Sequence, residues 1–364
     1  MSPSLPDFSD VKVRERTRRN MGIKRIIHHL KIPAAVSAAV FCLFLGMVSG
    51  SVNISPGDIL AIIRSHLLRV PLPEGISRNT ASILWNLRMP RAVMAFLVGA
   101  ALSMSGTVMQ SVLRNPLASS FTLGVSSGAS LSAALAILTG LSLPFLGQNT
   151  VVLCGFLGGL LTVFLAMAIA QHFDRNFGNT TVILTGMVLS LFVNALLTLV
   201  TSFSHEHLQQ VVFWQMGSFS GQSWGNCAVM ALMTPVLMPC LMHYGSEMDL
   251  MTFGEEQALS AGVDMRKTRI ILIAVSALLT GASVSFAGVI GFVDLIAPHV
   301  VRRIFGSRHA LAIPMSALLG GAFMVLADLI ARTIVSPREL AIGAVTALIG
   351  APFFAFIFFS RRQG

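Results

Sequence analysis

The stretch AVMAFLVGAALSMSGTVMQSVL, residues 92–113, decides the fold. No charge interrupts it, and it has the length of a bilayer-spanning helix, which needs roughly 20 apolar residues. Similar stretches lie near 32–50, 120–138, 150–171, 181–203, 225–243, 269–287, 288–301, 310–331 and 340–359. The eighth is short, and its boundary with the seventh is open. The expected fold is therefore an all-α integral membrane protein of about ten transmembrane helices. Barrel strands would alternate apolar and polar residues over short segments, and no such pattern occurs. Gly99, Ser103, Gly106, Gly155, Gly159, Gly343 and Gly350 sit inside these segments. Close helix packing is the commoner use of such small residues, and pore lining is the other.

Composition agrees with the segments. Of the 364 residues 54% are hydrophobic and 11% charged, and the mean hydropathy is +0.77. A soluble domain carries roughly 25% charged residues, so this chain cannot cover a water-facing surface. The first apolar stretch follows a long polar, basic arm and lacks a small-residue cleavage motif near Gly50, so a retained helix is expected rather than a signal peptide. Cys42, Cys154, Cys227 and Cys240 form no CxxC pair and suggest neither a zinc site nor a disulfide framework.

The net charge of +10 does not mark a nucleic-acid binder, because of where it sits. Most of the 25 Lys and Arg fall in the basic arm, residues 1–31, and at alternate span ends such as Arg114, Arg175, Arg266, Arg302 and Arg361. The other side holds Arg64, Arg69, Arg78, Arg88, Arg91, Arg332 and Arg338. By the positive-inside bias both termini are expected in the cytoplasm, which requires an even number of spans. The arm reads as a topology signal that also meets anionic membrane lipid. Residues 32–364 then form one transmembrane domain.

Three polar interruptions stand out. Residues 51–90 form the longest segment on the outside, where Ser55 and Pro56 should cap and open a short surface helix. Residues 204–221 are a second outside excursion. Residues 244–268 lie inside and contain Gly254-Glu255-Glu256-Gln257-Ala258-Leu259-Ser260-Ala261-Gly262, a short polar helix stopped by a glycine.

Long ordered motifs run from about residue 35 to the end: Arg88-Met89-Pro90-Arg91, Asn115-Pro116-Leu117-Ala118, Leu123-Gly124-Val125-Ser126-Ser127-Gly128, Gly291-Phe292, Ala297-Pro298-His299, Arg302-Arg303, Ala327-Asp328, Glu339-Leu340 and Gly350-Ala351-Pro352-Phe353. Together they closely resemble the FecCD-type permeases, the binding-protein-dependent ABC importers of ferric siderophores, haem and cobalamin. The resemblance implies ten helices per subunit and a second permease subunit, either another copy or a related chain. It also implies two ATPase subunits beneath, a substrate-binding protein outside, and a bacterial cytoplasmic membrane. Consistently, the sequence has no Gly-Lys pair and hence no phosphate-cradling Walker loop, so an ATPase must be borrowed. No catalytic residue, cofactor or metal is implied.

The family pattern also assigns residues. Arg88 and Arg332 would meet acidic groups on the binding protein, although Asp328, four residues before Arg332, offers that arginine a partner within its own helix. Glu255, Glu256, Ala258 and Gly262 belong to the expected coupling helix that presses on the ATPase. The pathway would be lined mainly by the second and fifth spans and narrowed at its inner end by Asn115, Leu117, Asn179 and Thr180. Asn115 has a second reading as a turn cap and Asn179 as a helix cap. Asp294 departs from the pattern, which commonly has glycine there. An acid within a span marks function or a partner, and Arg302 or Arg303 are candidate partners. His205-Glu206-His207 reads as a solvated loop before it reads as a metal site, and His299 as structural.

Two other classes fit the sequence less well. An ion-coupled secondary transporter would need intramembrane carboxylates near the midplane, and only Asp294 and Asp328 are candidates, both near span ends. A membrane enzyme would need a catalytic constellation, and none is evident. Among importer cargoes a ferric siderophore is expected first, with haem and cobalamin as alternatives.

Overall fold

The computed structural model describes residues 30–50, 54–144, 146–147, 149–174, 177–203 and 207–360, with backbone alone over 357–360. Every regular element among them is helical. In chain order they are α1 (Leu30–Val48), α2 (Pro56–Leu68), α3 (Arg78–Ser82), a π-helical stretch (Ile83–Arg88) leading into α4 (Met89–Val112), α5 (Val125–Leu138), α6 (Asn149–Phe173), α7 (Asn179–Ser202), α8 (Leu208–Met216), α9 (Trp224–His243), α10 (Gly245–Phe253), α11 (Glu255–Ser260), α12 (Met265–Ala287), α13 (Val293–Phe305), α14 (His309–Thr333) and α15 (Ile342–Ser360). Among the described residues seven helices are long and apolar enough to cross a membrane: α1, the continuous Arg78–Val112, α6, α7, α9, α12 and α14. The shorter apolar helices α5 and α15, with α13, complete the expected set of about ten.

The bundle is built around α4, which packs against α9, α12, α13 and α14, while α5, α6 and α7 form a group joined to the rest through α12 and α6. Close approach follows from the small residues. A Cβ on Gly99 would stand 2.3 Å from the Gly320 carbonyl oxygen of α14, and one on Gly106 would stand 2.0 Å from the Asp294 carbonyl oxygen of α13. Gly343 packs against the end of α8 and also lines a cavity.

Local rules explain several ends. Ser55 Oγ accepts from the Asp58 N–H (3.1 Å) with Pro56 opening α2, as the sequence predicts. That helix is fixed by Ile59 and Ile62, both buried, and by His66 stacked on Trp85 at 4.3 Å. In turn, Trp224 Nε1–H donates to the Trp85 carbonyl (2.8 Å). Two boundaries differ from expectation. The second span begins at Arg78 rather than near residue 92, because the π-helical stretch carries the helix on without a break. The eighth begins at Val293, because the chain turns at Gly288 (φ 77°) to pass α8 and re-enters a helix only after Phe292.

Candidate functional site

One end of the bundle gathers arginines. Arg88 and Arg91 share one helix, at the start of α4, and Arg332 closes α14. All three line a cavity of about 380 Å³ with Gly50, Gln222 and Glu339. Arg91 is the hub: it binds Asp328 through Nε and Nη2 (2.8–3.1 Å) and Glu339 through Nη1 (2.7 Å). Arg88 donates to the Val48 carbonyl (3.1 Å), and Arg332 donates to the Gly46 carbonyl, so both clamp the end of α1. The predicted Asp328–Arg332 pairing exists at 3.6 Å, but Asp328 is engaged more closely by Arg91. The sequence reading gave Arg91 no role beyond its motif. Its signal was the i, i+3 spacing from Arg88, which puts both on one helix face.

The opposite end carries α10 and α11. Glu255 and Glu256 open α11, where negative charge complements the helix dipole. Ala258 is fully buried against Met251 of α10. Gly262 (φ +86°) stops the helix: its N–H bonds the Leu259 carbonyl, and the Val263 N–H bonds the Ala258 carbonyl, the paired closure that favours glycine. Glu256 is exposed beside exposed Phe253 and Leu259, an acidic knob with an apolar rim. Glu255 instead pairs with Arg269 of α12 (3.1 Å), whose guanidinium also donates to the Phe177 carbonyl (2.9 Å), two residues before α7.

Of the predicted gate residues at this same end, Asn115 and Leu117 lie on a turn, and Asn179 and Thr180 open α7. Asn115 Oδ1 accepts the Leu117 N–H (2.9 Å), so it does close a turn around Pro116, and Leu117 is half-exposed. Asn179 is the first residue of α7, and Gly178 occupies the cap position. The capping carboxylate is Asp174, accepting from the Gly178 N–H (2.9 Å), and Asn179 Oδ1 is buried without a partner among the described residues. Thr180 lines a separate apolar groove between α6 and α7. The turn segment meets α7 where Gly186 packs on Thr122 and Leu123. Of the two spans expected to line a pathway, α4 is enclosed by its own chain, whereas α7 keeps an uncovered face.

Asp294 is buried at the start of α13 and does not pair with Arg302 or Arg303. Those lie about eight residues on, at the far end of the helix, roughly 12 Å away at 1.5 Å per residue. Its Oδ2 accepts from Ser119 Oγ (2.5 Å), Ser120 N (2.9 Å) and Ser120 Oγ (2.9 Å), on the turn that carries Asn115 and Leu117. His205 and Glu206 lie outside the described residues, and His207 precedes α8. Another cavity, of about 390 Å³, lies between α5, α7, α8, the 289–292 loop and α15. Its polar lining is neutral: Ser126, Ser127, Ser130, Asn194 and Gln215.

The helical bundle thus carries an arginine-lined cavity at one end and the short acidic helix α11 at the other. The chain belongs to the FecCD transport family, whose model matches residues 38–360. It is 36% identical over 333 residues to the cobalamin import system permease protein BtuC of Halobacterium salinarum, covering 92% of this chain and 86% of that one. It is 34% identical to the hemin transport system permease protein HmuU of Yersinia pestis, covering 78% and 86%. A solved structure described as an inward-facing metal-chelate type ABC transporter superposes with a TM-score of 0.76 at 29% identity, covering 93% of this chain and 99% of that chain. The protein is thus an ABC importer permease, a multi-span protein of the cytoplasmic membrane and a transporter rather than an enzyme.

Proposed function

We propose that this permease moves an iron chelate, a ferric siderophore first among them, into the cytoplasm. It is powered by two separate ATPase subunits and loaded by an extracytoplasmic binding protein. The observation that carries the reading is the polarity of the bundle, with the arginine cavity at one end and the α11 knob at the other. The arginine end faces outward and both termini face the cytoplasm, in line with the excess of Lys and Arg at the other end. Three guanidinium groups line the outer cavity against two carboxylates, Glu339 in its wall and Asp328 behind Arg91, so one positive charge is left over to favour an acidic partner. Such charges orient docking and speed encounter more than they add affinity. Arg88 and Arg332 serve this through the field at the mouth, with Arg91 between them.

At the cytoplasmic end Glu255, Glu256, Ala258 and Gly262 form the rigid element that an ATPase pushes. Glu256 meets the ATPase, Ala258 and Gly262 fix the helix, and Glu255 passes the push through Arg269 to the start of α7. Asn115, Leu117, Asn179 and Thr180 frame the inner gate. A second permease subunit, by default another copy, covers the open face of α7. The neutral wall at Ser126, Ser130, Asn194 and Gln215 supports passage of a bulky chelate without tight recognition, which falls to the binding protein.

The test is uptake of radiolabelled iron, offered as ferric siderophores and as haem, with labelled cobalamin alongside, in cells lacking this gene. Loss of one siderophore-borne uptake, restored by the gene and not by an Arg88→Glu version made to the same level, is the expected result. Loss confined to haem or cobalamin would move the cargo assignment to that compound.

A further inference from the structure

A polar chain, buried at His309, Ser111, Gln110 and Asp294 and partly exposed at Asp249, joins α10 to the turn that carries Leu117. It starts at Asp249 of α10, whose Oδ1 accepts from the backbone N–H (3.0 Å) and from Nδ1 (2.6 Å) of His309, the first residue of α14. Asp249 thereby satisfies an N-terminal N–H of another helix. His309 Nε2 meets Ser111 Oγ of α4 at 2.6 Å. Arg302 of α13 lies beside it, donating to Gln110 Oε1 (2.5 Å), the Thr107 carbonyl (3.1 Å) and Ser111 Oγ (3.4 Å). Gln110 Nε2–H donates to the Asp294 carbonyl (3.2 Å), and the Asp294 carboxylate receives three hydrogen bonds from Ser119 and Ser120. Four helices and one turn are linked without an apolar gap.

This chain is costly to bury. Apolar side chains of like volume would hold the same helices at least as firmly, so a polar chain suits specifying a geometry better than adding stability. It is also incompletely satisfied: Asp294 Oδ1 is buried without a partner among the described residues. A buried acceptor left open calls for an explanation, and a second arrangement of the 119–120 turn would give it one. At the other terminus α10 packs on α11 through Met251 and Ala258, so displacement of the knob reaches Asp249 directly.

We infer that Asp249, His309, Arg302 and Asp294 form a strut that transmits movement of the ATPase-facing knob to the inner turn at Leu117, in parallel with the Glu255–Arg269–Phe177 link to α7. These four are positioning residues and touch no cargo. The inference rests on the gate and coupling roles proposed above.

The test uses the whole importer, with its ATPase and binding protein, in membrane vesicles. Leu117→Cys is placed in a chain whose four native cysteines are replaced by serine, and a maleimide reports its exposure with and without ATP. Asp249→Ala removes both acceptor contacts to His309. It should leave ATP hydrolysis standing while reducing the ATP-dependent change in labelling and the uptake by about tenfold, the size expected of a coupling element. Asp249→Asn keeps an acceptor oxygen and should restore most of both. Asp294→Ala removes the carboxylate that receives all three bonds from Ser119 and Ser120, cutting the chain at its far end, and should reproduce the loss. A response to ATP that is unchanged in either cut variant overturns the strut and leaves the gate standing, as does equal loss in Asp249→Ala and Asp249→Asn. Labelling insensitive to ATP in the uncut chain defeats the gate reading, and the strut with it.

Discussion

Helices α4 and α7 are each 24 residues long and both apolar, yet they occupy opposite environments. Of the most apolar eighteen residues in the α4 span 83% are buried, against 22% in α7. Mean hydropathy over those windows is 1.8 for the α4 span and 2.2 for α7, so the more enclosed helix is the less apolar one. Lipid is as apolar as leucine, and no hydrophobic drive sorts one helix inside another within a bilayer. Enclosure comes instead from close backbone approach and from hydrogen bonds. Accordingly α4 carries Gly99, Gly106, Ser103, Ser105, Thr107, Gln110 and Ser111 where it meets its neighbours, whereas α7 shows Leu191, Phe192 and Val188 on its uncovered face. Within the α4 interface Ser105 Oγ bonds both Thr280 Oγ1 (2.8 Å) and the Ser276 carbonyl (3.1 Å) of α12.

The contrast can be broken by substitution. The largest effect is expected at Gly106→Leu, whose side chain would occupy the α13 backbone; overpacking against backbone has no cheap relief. The folded protein recovered in detergent should fall to near nothing, and normal recovery would mean that α4 is not held as described. Next comes Arg91→Ala, which takes from Asp328, at 2% side-chain exposure, its closest cation and leaves it only Arg332 at 3.6 Å; the loss should cost about 2 kcal/mol, read as a lowered unfolding temperature. The smallest effect is expected at Leu191→Ala on α7. A lipid-facing change should stay within about 0.5 kcal/mol for the isolated subunit. If α7 meets a second copy, the same change should weaken the dimer while leaving the subunit's own unfolding unmoved.

Much of this was legible in the sequence. The spans, the α2 cap at Ser55, the glycine stop at Gly262 and the turn at Asn115 all rest on local rules that need no tertiary partner. What escaped depends on distant residues. Asp294 and Arg302 share one short segment, but α13 is a rigid rod that keeps them at its two ends, and the partners of Asp294, Ser119 and Ser120, are 175 and 174 residues upstream. The role of Arg91 is invisible in sequence because Asp328 and Glu339 meet it only in the folded bundle. Asn179 does not cap α7, because the helix takes Gly178 as its cap and Asn179 is already its first helical residue. The gap between α12 and α13 was blurred because its apolar composition continues through a bend set by contact with α8.

The claim that this chain is one half of an ATP-driven machine is tested most directly in proteoliposomes containing the permease and its ATPase, with ATP enclosed and cargo-loaded binding protein outside. The account predicts accumulation of the iron chelate that stops when ATP, the ATPase or the binding protein is left out, and that ignores collapse of ion gradients. Accumulation by the permease alone, driven by an ion gradient, would contradict it.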